Sequence, residues 1–273
     1  VTMSDRGPDS AGIAIYGDER PGGIKLTLQS AQPNKDFPNL TEYLKSELNV
    51  IIKLEQNQNH AVLHCHKNEV SNIREILQTT RPGIRVMSMG EQIEIYKEVG
   101  LPKSVIQTFN VPHMSGSHGI GHTRMATESA VSTLGAHPFS TGPDQCLVHN
   151  GSLSNHNSLR RKLEKEGMHL KTENDTEVGA AYLTWCMKMG FSLEESLQKG
   201  LTDLDGFYTF LVGTKDGFGV LRDPIACKPA IMAETQRYVA FGSEYRALAV
   251  LPDIDQAEVW EPEPATVYFW NQK

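Results

Sequence analysis

Six short polar motifs, strung along almost the whole chain, constrain its fold more than any other feature. They are Ser4-Asp5-Arg6-Gly7-Pro8-Asp9-Ser10-Ala11-Gly12, Gly121-His122-Thr123-Arg124-Met125-Ala126-Thr127, His149-Asn150-Gly151, Asn174-Asp175-Thr176-Glu177, Arg222-Asp223-Pro224 and Gly242-Ser243-Glu244-Tyr245-Arg246-Ala247-Leu248. Each is weak alone; one fold has to explain them together. The 273 residues fit one large domain or one domain carrying an insertion, and 39% hydrophobic residues are enough for a real core.

Charge narrows the partners. Lys and Arg number 26 against 33 Asp and Glu, a formal charge of −7. Such mild acidity argues against a nucleic-acid backbone, which basic surfaces bind. No apolar run approaches the roughly 20 residues needed to cross a bilayer, and no signal peptide is seen. Cys65, Cys146, Cys186 and Cys227 lie far apart with no Cys-x-x-Cys pair. That spacing suits reduced thiols in a cytoplasm rather than a disulfide framework.

Hydrophobic spacing divides the chain. Residues 10–16 alternate small and apolar side chains and read as a strand, with residues 24–28 as its hairpin partner across a turn-rich link. Residues 26–88 read strand, helix, strand, strand, helix, strand, the order of a ferredoxin-like unit. This is an expected insertion; the alternative is an extension of the main sheet. Residues 91–99 and 103–109 read as two short helices. The chain is expected to be strand-rich from Arg124 to Gly151. Helices follow at 154–167, 176–189 and 193–201, then short strands at 207–214, 219–222, 231–233, 238–242 and 266–270. Helices bracketed by two runs of strands suit a layered arrangement.

Several of these residues carry chemistry. A guanidinium such as that of Arg124, at a strand end among small polar residues, can grip a carboxylate through two parallel hydrogen bonds. The alternative is a surface ion pair. Asn150 and Gly151, placed just after a strand, can aim a side-chain N–H and a backbone N–H at one developing oxyanion; the same dipeptide is also a common turn. Asp175, before a helix, reads equally as an N-cap. Arg6 sits in a Gly-Pro turn that leads into a strand. Arg222-Asp223-Pro224 reads as a buried ion pair plus turn, and Ser243-Glu244 as a helix cap. His64 and His66 face one way across Cys65, but no further ligands are evident and no metal site is assigned. His149 is placed to order Asn150.

The six motifs in this order resemble the class II glutamine amidotransferases, whose nucleophile is an N-terminal cysteine. The resemblance covers residues 3–17 and about 90–270. It implies an α+β fold, the four-layer αββα sandwich of N-terminal-nucleophile hydrolases. It implies that Arg124 holds the α-carboxylate of glutamine with support from Thr127, and that Asp175 accepts the α-ammonium. Asn150 and Gly151 become the oxyanion hole, and Arg6 orders the nucleophile. Met125, Glu128 and Ala226 stand where the family often has Trp, His and Gly. The cysteine itself is missing because the sequence opens at Val1, so the chain as given is expected to lack glutaminase activity.

Residues 89–102 (Met89-Gly90-Glu91-Gln92-Ile93-Glu94-Ile95-Tyr96-Lys97-Glu98-Val99-Gly100-Leu101-Pro102) look like the glutamate synthase-related amidotransferase subunits. Among these the chain most resembles the amidotransferase subunit of N-methylglutamate synthase. That implies a hetero-oligomer with synthase subunits carrying FMN and iron–sulfur, since no cofactor motif occurs here. The alternatives are a subunit of another glutamate synthase-like enzyme, or a non-catalytic glutamine-binding or scaffold subunit.

Overall fold

The computed structural model describes residues 1–19, 22–126 and 130–271. Thr127 and Glu128 lie outside the described residues. The elements run β1 (Ser10–Tyr16), β2 (Gly23–Ser30), α1 (Pro33–Asp36), α2 (Leu40–Leu48), β3 (Lys53–Asn57), β4 (His60–His66), α3 (Val70–Thr80) and β5 (Ile84–Gly90). Next come β6 (Ile93–Val99), α4 (Pro102–Thr108), β7 (His118–Arg124), β8 (Cys146–Leu153), α5 (His156–Lys165), α6 (Asp175–Lys188) and α7 (Leu193–Asp203). The chain closes with β9 (Gly206–Thr214), β10 (Gly217–Arg222), β11 (Ile231–Glu234), β12 (Val239–Gly242), α8 (Tyr245–Leu248), β13 (Glu258–Trp260) and β14 (Thr266–Asn271).

Four sheets result, with orders β6-β1-β7, β14-β10-β9-β8, β12-β11-β13 and β3-β4-β2-β5. Period-2 alternation sets which face meets which neighbour. On β8, β9 and β10, Leu147, Tyr208, Phe210, Val212 and Leu221 share a core with α5, α6 and α7. The alternate residues Cys146, Val148, Leu211 and Val220 pack with Ala14, Tyr16, Ile93, Ile95 and Ile120 of the β6-β1-β7 sheet. The far side of β1 and β6 contributes Ala11 and Tyr96 to a smaller core with Val105 and Phe109 around α4. Met232 of β11 joins the same core as Ile120, so the β12-β11-β13 sheet also rests on β8–β10. A separate core lies under β2–β5, where Leu26, Leu28 and Leu63 meet Leu40, Leu44, Ile73 and Leu77 of α2 and α3.

Three expectations need correction. Residues 93–99 form strand β6, not a helix: Ile93 and Ile95 point together into the core under β1. Their i, i+2 spacing of β-branched side chains decides, while Ile93 and Tyr96 at i, i+3 had imitated a helical face. Residues 24–28 are not the hairpin partner of β1. β1 pairs with β6 and β7, whereas β2, buried at seven of its eight positions, is the centre of its own sheet between β4 and β5. Between Arg124 and Cys146 the described residues form turns and loops with one isolated bridge, Phe139 to Leu147, so this stretch is not strand-rich. Strand β13 was not foreseen, and of β7 only the end at Arg124 was; the glycines of β7 mask its alternation.

A candidate glutamine site in the cleft beside β7

Pairing brings distant motifs together. β1 and β7 run antiparallel with Ser10 opposite Arg124, so the amino-terminal motif lies beside the end of β7. The Asp9 carboxylate accepts from Ala126 N at 2.8 Å, and Asp9 N donates to the Arg124 carbonyl at 3.1 Å. Gly7 is needed here, because a Cβ would sit 2.3 Å from the Thr123 carbonyl carbon. Arg124 is buried to 8% exposure. Burial pushes its pKa down, and the carboxylates of Asp9 and Asp175 oppose that shift.

Asn150 and Gly151 do not follow a strand as expected: β8 continues through them to Leu153. Asn150 pairs with Thr209 and Gly151 with Tyr208 of β9. Gly151 holds φ of 140°, and a Cβ there would fall 1.9 Å from the Phe207 carbonyl oxygen. Only glycine keeps the ladder closed at that point.

Asp175 is the first residue of α6, and the cap is its neighbour: the Asn174 side chain accepts from Thr176 N at 2.8 Å. Asp175 is thereby free of the capping role. Its Oδ2 accepts from Leu153 N at 3.0 Å, and its Oδ1 lies 3.7 Å from His149 Nδ1. An anion at a helix N-terminus is also favoured by the aligned peptide dipoles. Glu177 holds the preceding loop by accepting from Lys171 N and Thr172 N at 2.8 and 2.6 Å.

A cleft of about 1340 Å³ joins these parts, lined by Arg6, Arg124, Asn150, Gly151 and Asp175 among others. Among the described residues it therefore collects every sequence-expected site residue. Arg6 is more exposed than the rest, its side chain 57% accessible, and its Nε lies 3.3 Å from Glu244. Glu244 also accepts from Arg246 Nε at 2.7 Å, and neither Ser243 nor Glu244 caps α8 with its side chain. The expected cap is an ion-pair cluster instead. Arg222 and Asp223 form a buried turn, but not with each other. Arg222 donates to the carbonyls of Pro262 and Ala226, and Asp223 accepts from Ile225 N and Ala226 N at 3.0 and 3.2 Å. Cys65, Cys146 and Cys186 are buried, Cys227 is exposed, and none of the four lines the cleft.

Lining the cleft is a group that sequence reasoning missed. His137 and His149 are buried and both reach the Thr176 hydroxyl, and the half-buried His122 packs its ring 4.2 Å from that of His137. Burial pulls His122 and His149 down to about 4 and His137 well below its usual value. All three are neutral at physiological pH. His137 has no periodic or motif signal; only the loop path from β7 to β8 brings it here.

Residues 122–250 match the model of a glutamine amidotransferase domain. The glutamine amidotransferase-like protein GlxB of Rhizobium meliloti is 62% identical over 273 residues, covering all of this chain and 90% of that protein. The chain belongs to the class II glutamine amidotransferases. A putative glutamine amidotransferase of Methanothermobacter thermautotrophicus is 31% identical over 281 residues, covering 97% of this chain and 90% of its own length. Among solved structures, the allosteric regulatory enzyme of purine biosynthesis superposes with a TM-score of 0.59 at 20% identity, which speaks to the fold alone. The match covers 96% of this chain and 47% of that one, so the chain spans about half the length of that structure.

Proposed function

We propose that this chain is a glutaminase subunit that hydrolyses glutamine to glutamate and ammonia for a partner synthase, namely N-methylglutamate synthase. The observation that carries the reading is that Arg124, Asp175, Asn150 and Gly151 line a single cleft. Arg124 takes the α-carboxylate, Asp175 the α-ammonium, and Asn150 with Gly151 the oxygen of the side-chain amide. A carbonyl that becomes tetrahedral gathers negative charge, and donors fixed in advance stabilise it.

The nucleophile of this chemistry is a thiolate that displaces ammonia and leaves a thioester for water to hydrolyse. None of Cys65, Cys146, Cys186 and Cys227 is placed for that step. The cleft has room for a strand that carries one. Among the described residues β7 is paired with β1 alone and β12 with β11 alone, and residues of both strands line the cleft with Val148, Leu211 and Phe218. An extended segment seated there would deliver its cysteine beside Arg6 and Asn150. The stacking of α5–α7, the two sheet layers and α4 supports the four-layer αββα reading. The order β5-β2-β4-β3 supports a ferredoxin-like insertion over residues 26–88.

Among the described residues no helix is long and apolar enough to cross a membrane, and we place the protein in the cytoplasm. FMN and iron–sulfur chemistry belongs, on this reading, to the partner subunits. Calorimetry with glutamine, and turnover with the partner of a form that carries the cysteine-bearing strand, test it. Arg124→Ala and Asp175→Ala each strand a charged end of the ligand, at about 3–5 kcal/mol, and should abolish measurable binding. Asn150→Ala should keep binding and lose roughly 100-fold or more in turnover. Unchanged turnover in Asn150→Ala would remove the oxyanion assignment, and a chain that purifies alone and ignores added synthase would remove the partner.

A further inference from the structure

Thr176 lies just behind the expected ammonium-binding carboxylate, and its hydroxyl joins two buried imidazoles. Oγ1 is 3.2 Å from His149 Nδ1 and 3.1 Å from His137 Nε2. Among the described residues these two ring nitrogens are the only hydrogen-bond partners of the hydroxyl, so its one proton goes to one ring and a lone pair takes the N–H of the other. Two arrangements are open. Either Thr176 donates to His149 Nδ1 and accepts from His137, or it accepts from His149 Nδ1–H and donates to His137 Nε2.

The neighbouring carboxylate decides between them. His149 Nδ1 is also 3.7 Å from Asp175 Oδ1. In the first arrangement an imidazole lone pair would face that carboxylate across a buried gap. In the second an N–H dipole faces it, which is attractive in so low a dielectric. The second arrangement leaves the protons on His149 Nδ1 and His137 Nδ1. His149 Nε2 is then an acceptor and His137 Nδ1 a donor, and neither has a hydrogen-bond partner among the described residues. The two rings therefore have no other hydrogen bond through those atoms to fix them; what fixes them is Thr176, together with ring packing on Phe139 and Phe210.

We propose that Thr176 and His137 are positioning residues for the ammonium end of the glutamine site: the Thr176 hydroxyl, backed by His137, holds His149 with its Nδ1–H toward Asp175 and so keeps that carboxylate aimed into the cleft. Among the described residues the one hydrogen bond to the Asp175 carboxylate is that from Leu153 N to Oδ2. This inference rests on the glutamine reading and adds residues that act through Asp175. Thr176 itself is 1% exposed, and its backbone N–H serves the Asn174 cap whatever its side chain is.

The experiment compares two ligands on three variants. Glutamine carries the α-ammonium; glutaramate (5-amino-5-oxopentanoate) has the same amide and carboxylate without it. Thr176→Val keeps the shape and removes the hydroxyl, Thr176→Ser keeps the hydroxyl, and His137→Phe keeps a ring and removes the backing acceptor. Calorimetric titration should show glutamine affinity reduced about five- to tenfold in Thr176→Val and His137→Phe, the scale of one net hydrogen bond. Glutaramate affinity should stay within twofold, and Thr176→Ser should bind both ligands like the parent. In a complex with turnover, the same two variants should raise KM for glutamine and leave kcat within twofold. Equal losses for both ligands, or no loss for either, would overturn the positioning role. A parent chain that binds neither ligand would overturn the glutamine reading and this inference with it.

Discussion

Lys97 offers the most quantitative test of how the site is held. It sits on β6 at 4% exposure, and its Nζ donates to the carbonyls of Leu134, Ala136 and Pro138 at 3.1, 2.7 and 3.1 Å. Those carbonyls belong to the loop that delivers His137. Burial pulls the Lys97 pKa from 10.5 to about 7, with Glu177 opposing the shift. The folded state then binds fewer protons than the unfolded state between about pH 7 and 10.5, so stability rises with pH through that window. At 1.36 kcal/mol per pKa unit, the gain from pH 6 to pH 9 is roughly 2–3 kcal/mol. Lys97→Met keeps the apolar stem and removes that dependence. It also strands the carbonyls, at about 1–3 kcal/mol for each buried one. Near pH 6 the relief of a buried charge, worth several kcal/mol, offsets that loss. At pH 9 nothing offsets it, and the variant should be less stable by roughly 2–5 kcal/mol. Urea unfolding of both proteins at pH 6, 7, 8 and 9 reads the difference directly, provided the slope m is the same. A gap that fails to widen from pH 6 to pH 9 would show that the three carbonyls keep Lys97 charged throughout, and the reasoning would be wrong.

Two further outcomes follow from the same geometry. Gly151→Ala sets a Cβ against the Phe207 carbonyl at a φ that L-residues avoid, and should cost at least about 3 kcal/mol; a parent-like unfolding curve would contradict the closed ladder at Asn150. His122 and His149, lowered from 6.5 to about 4 by burial, bind fewer protons folded than unfolded, so stability should fall as pH drops from 6.5 toward 4. The expected loss is roughly 2–3 kcal/mol for each residue, and melting temperatures that stay flat across that range would exclude neutral buried imidazoles.

Legibility in the sequence followed the range of the interactions. Asp175 could be placed because its position depends on local signals: Asn174 as the cap and the apolar face of α6 behind it. Arg124 could be placed at a strand end for the same reason. Strand pairing could not be read so well. β2 has good strand chemistry, but whether it joins β1 or β4 depends on burial of both its faces, which residues 24–28 alone do not reveal. Lys97 is the sharper case. A lysine next to Glu98 on an apparent amphipathic helix reads as solvated, and only the strand period turns it inward. The Thr176 cluster draws on residues 27 and 39 positions away, beyond any local pattern. Arg6 and Glu244 meet across nearly the whole chain, so the Ser-Glu pair was read as the cap that its local context favours.

The β3-β4-β2-β5 sheet is bonded to the segment just before Asp175, a link that a partner could exploit. Lys171 Nζ donates to the Val86 carbonyl on β5 at 3.2 Å. Lys171 is four residues before Asp175, and Glu177 locks its backbone and that of Thr172 onto α6. The same sheet is tied to the core through Lys25 on β2, whose Nζ is 2.9 Å from Glu94 on β6, and through Asn59, between β3 and β4, with Glu98. A rigid shift of the β3-β4-β2-β5 sheet against β6 therefore pulls on the segment that presents Asp175, with no need for contact between a docked partner and the cleft. Coupling of this kind requires that the partner favour one of the two arrangements. Lys171→Met keeps the stem and cuts the bond. In a complex whose glutamine hydrolysis rises when the synthase substrate binds, this variant should lose most of that rise while its unstimulated rate stays within twofold. Stimulation equal to that of the parent would mean that the signal reaches Asp175 by another path or that the insertion does not carry it.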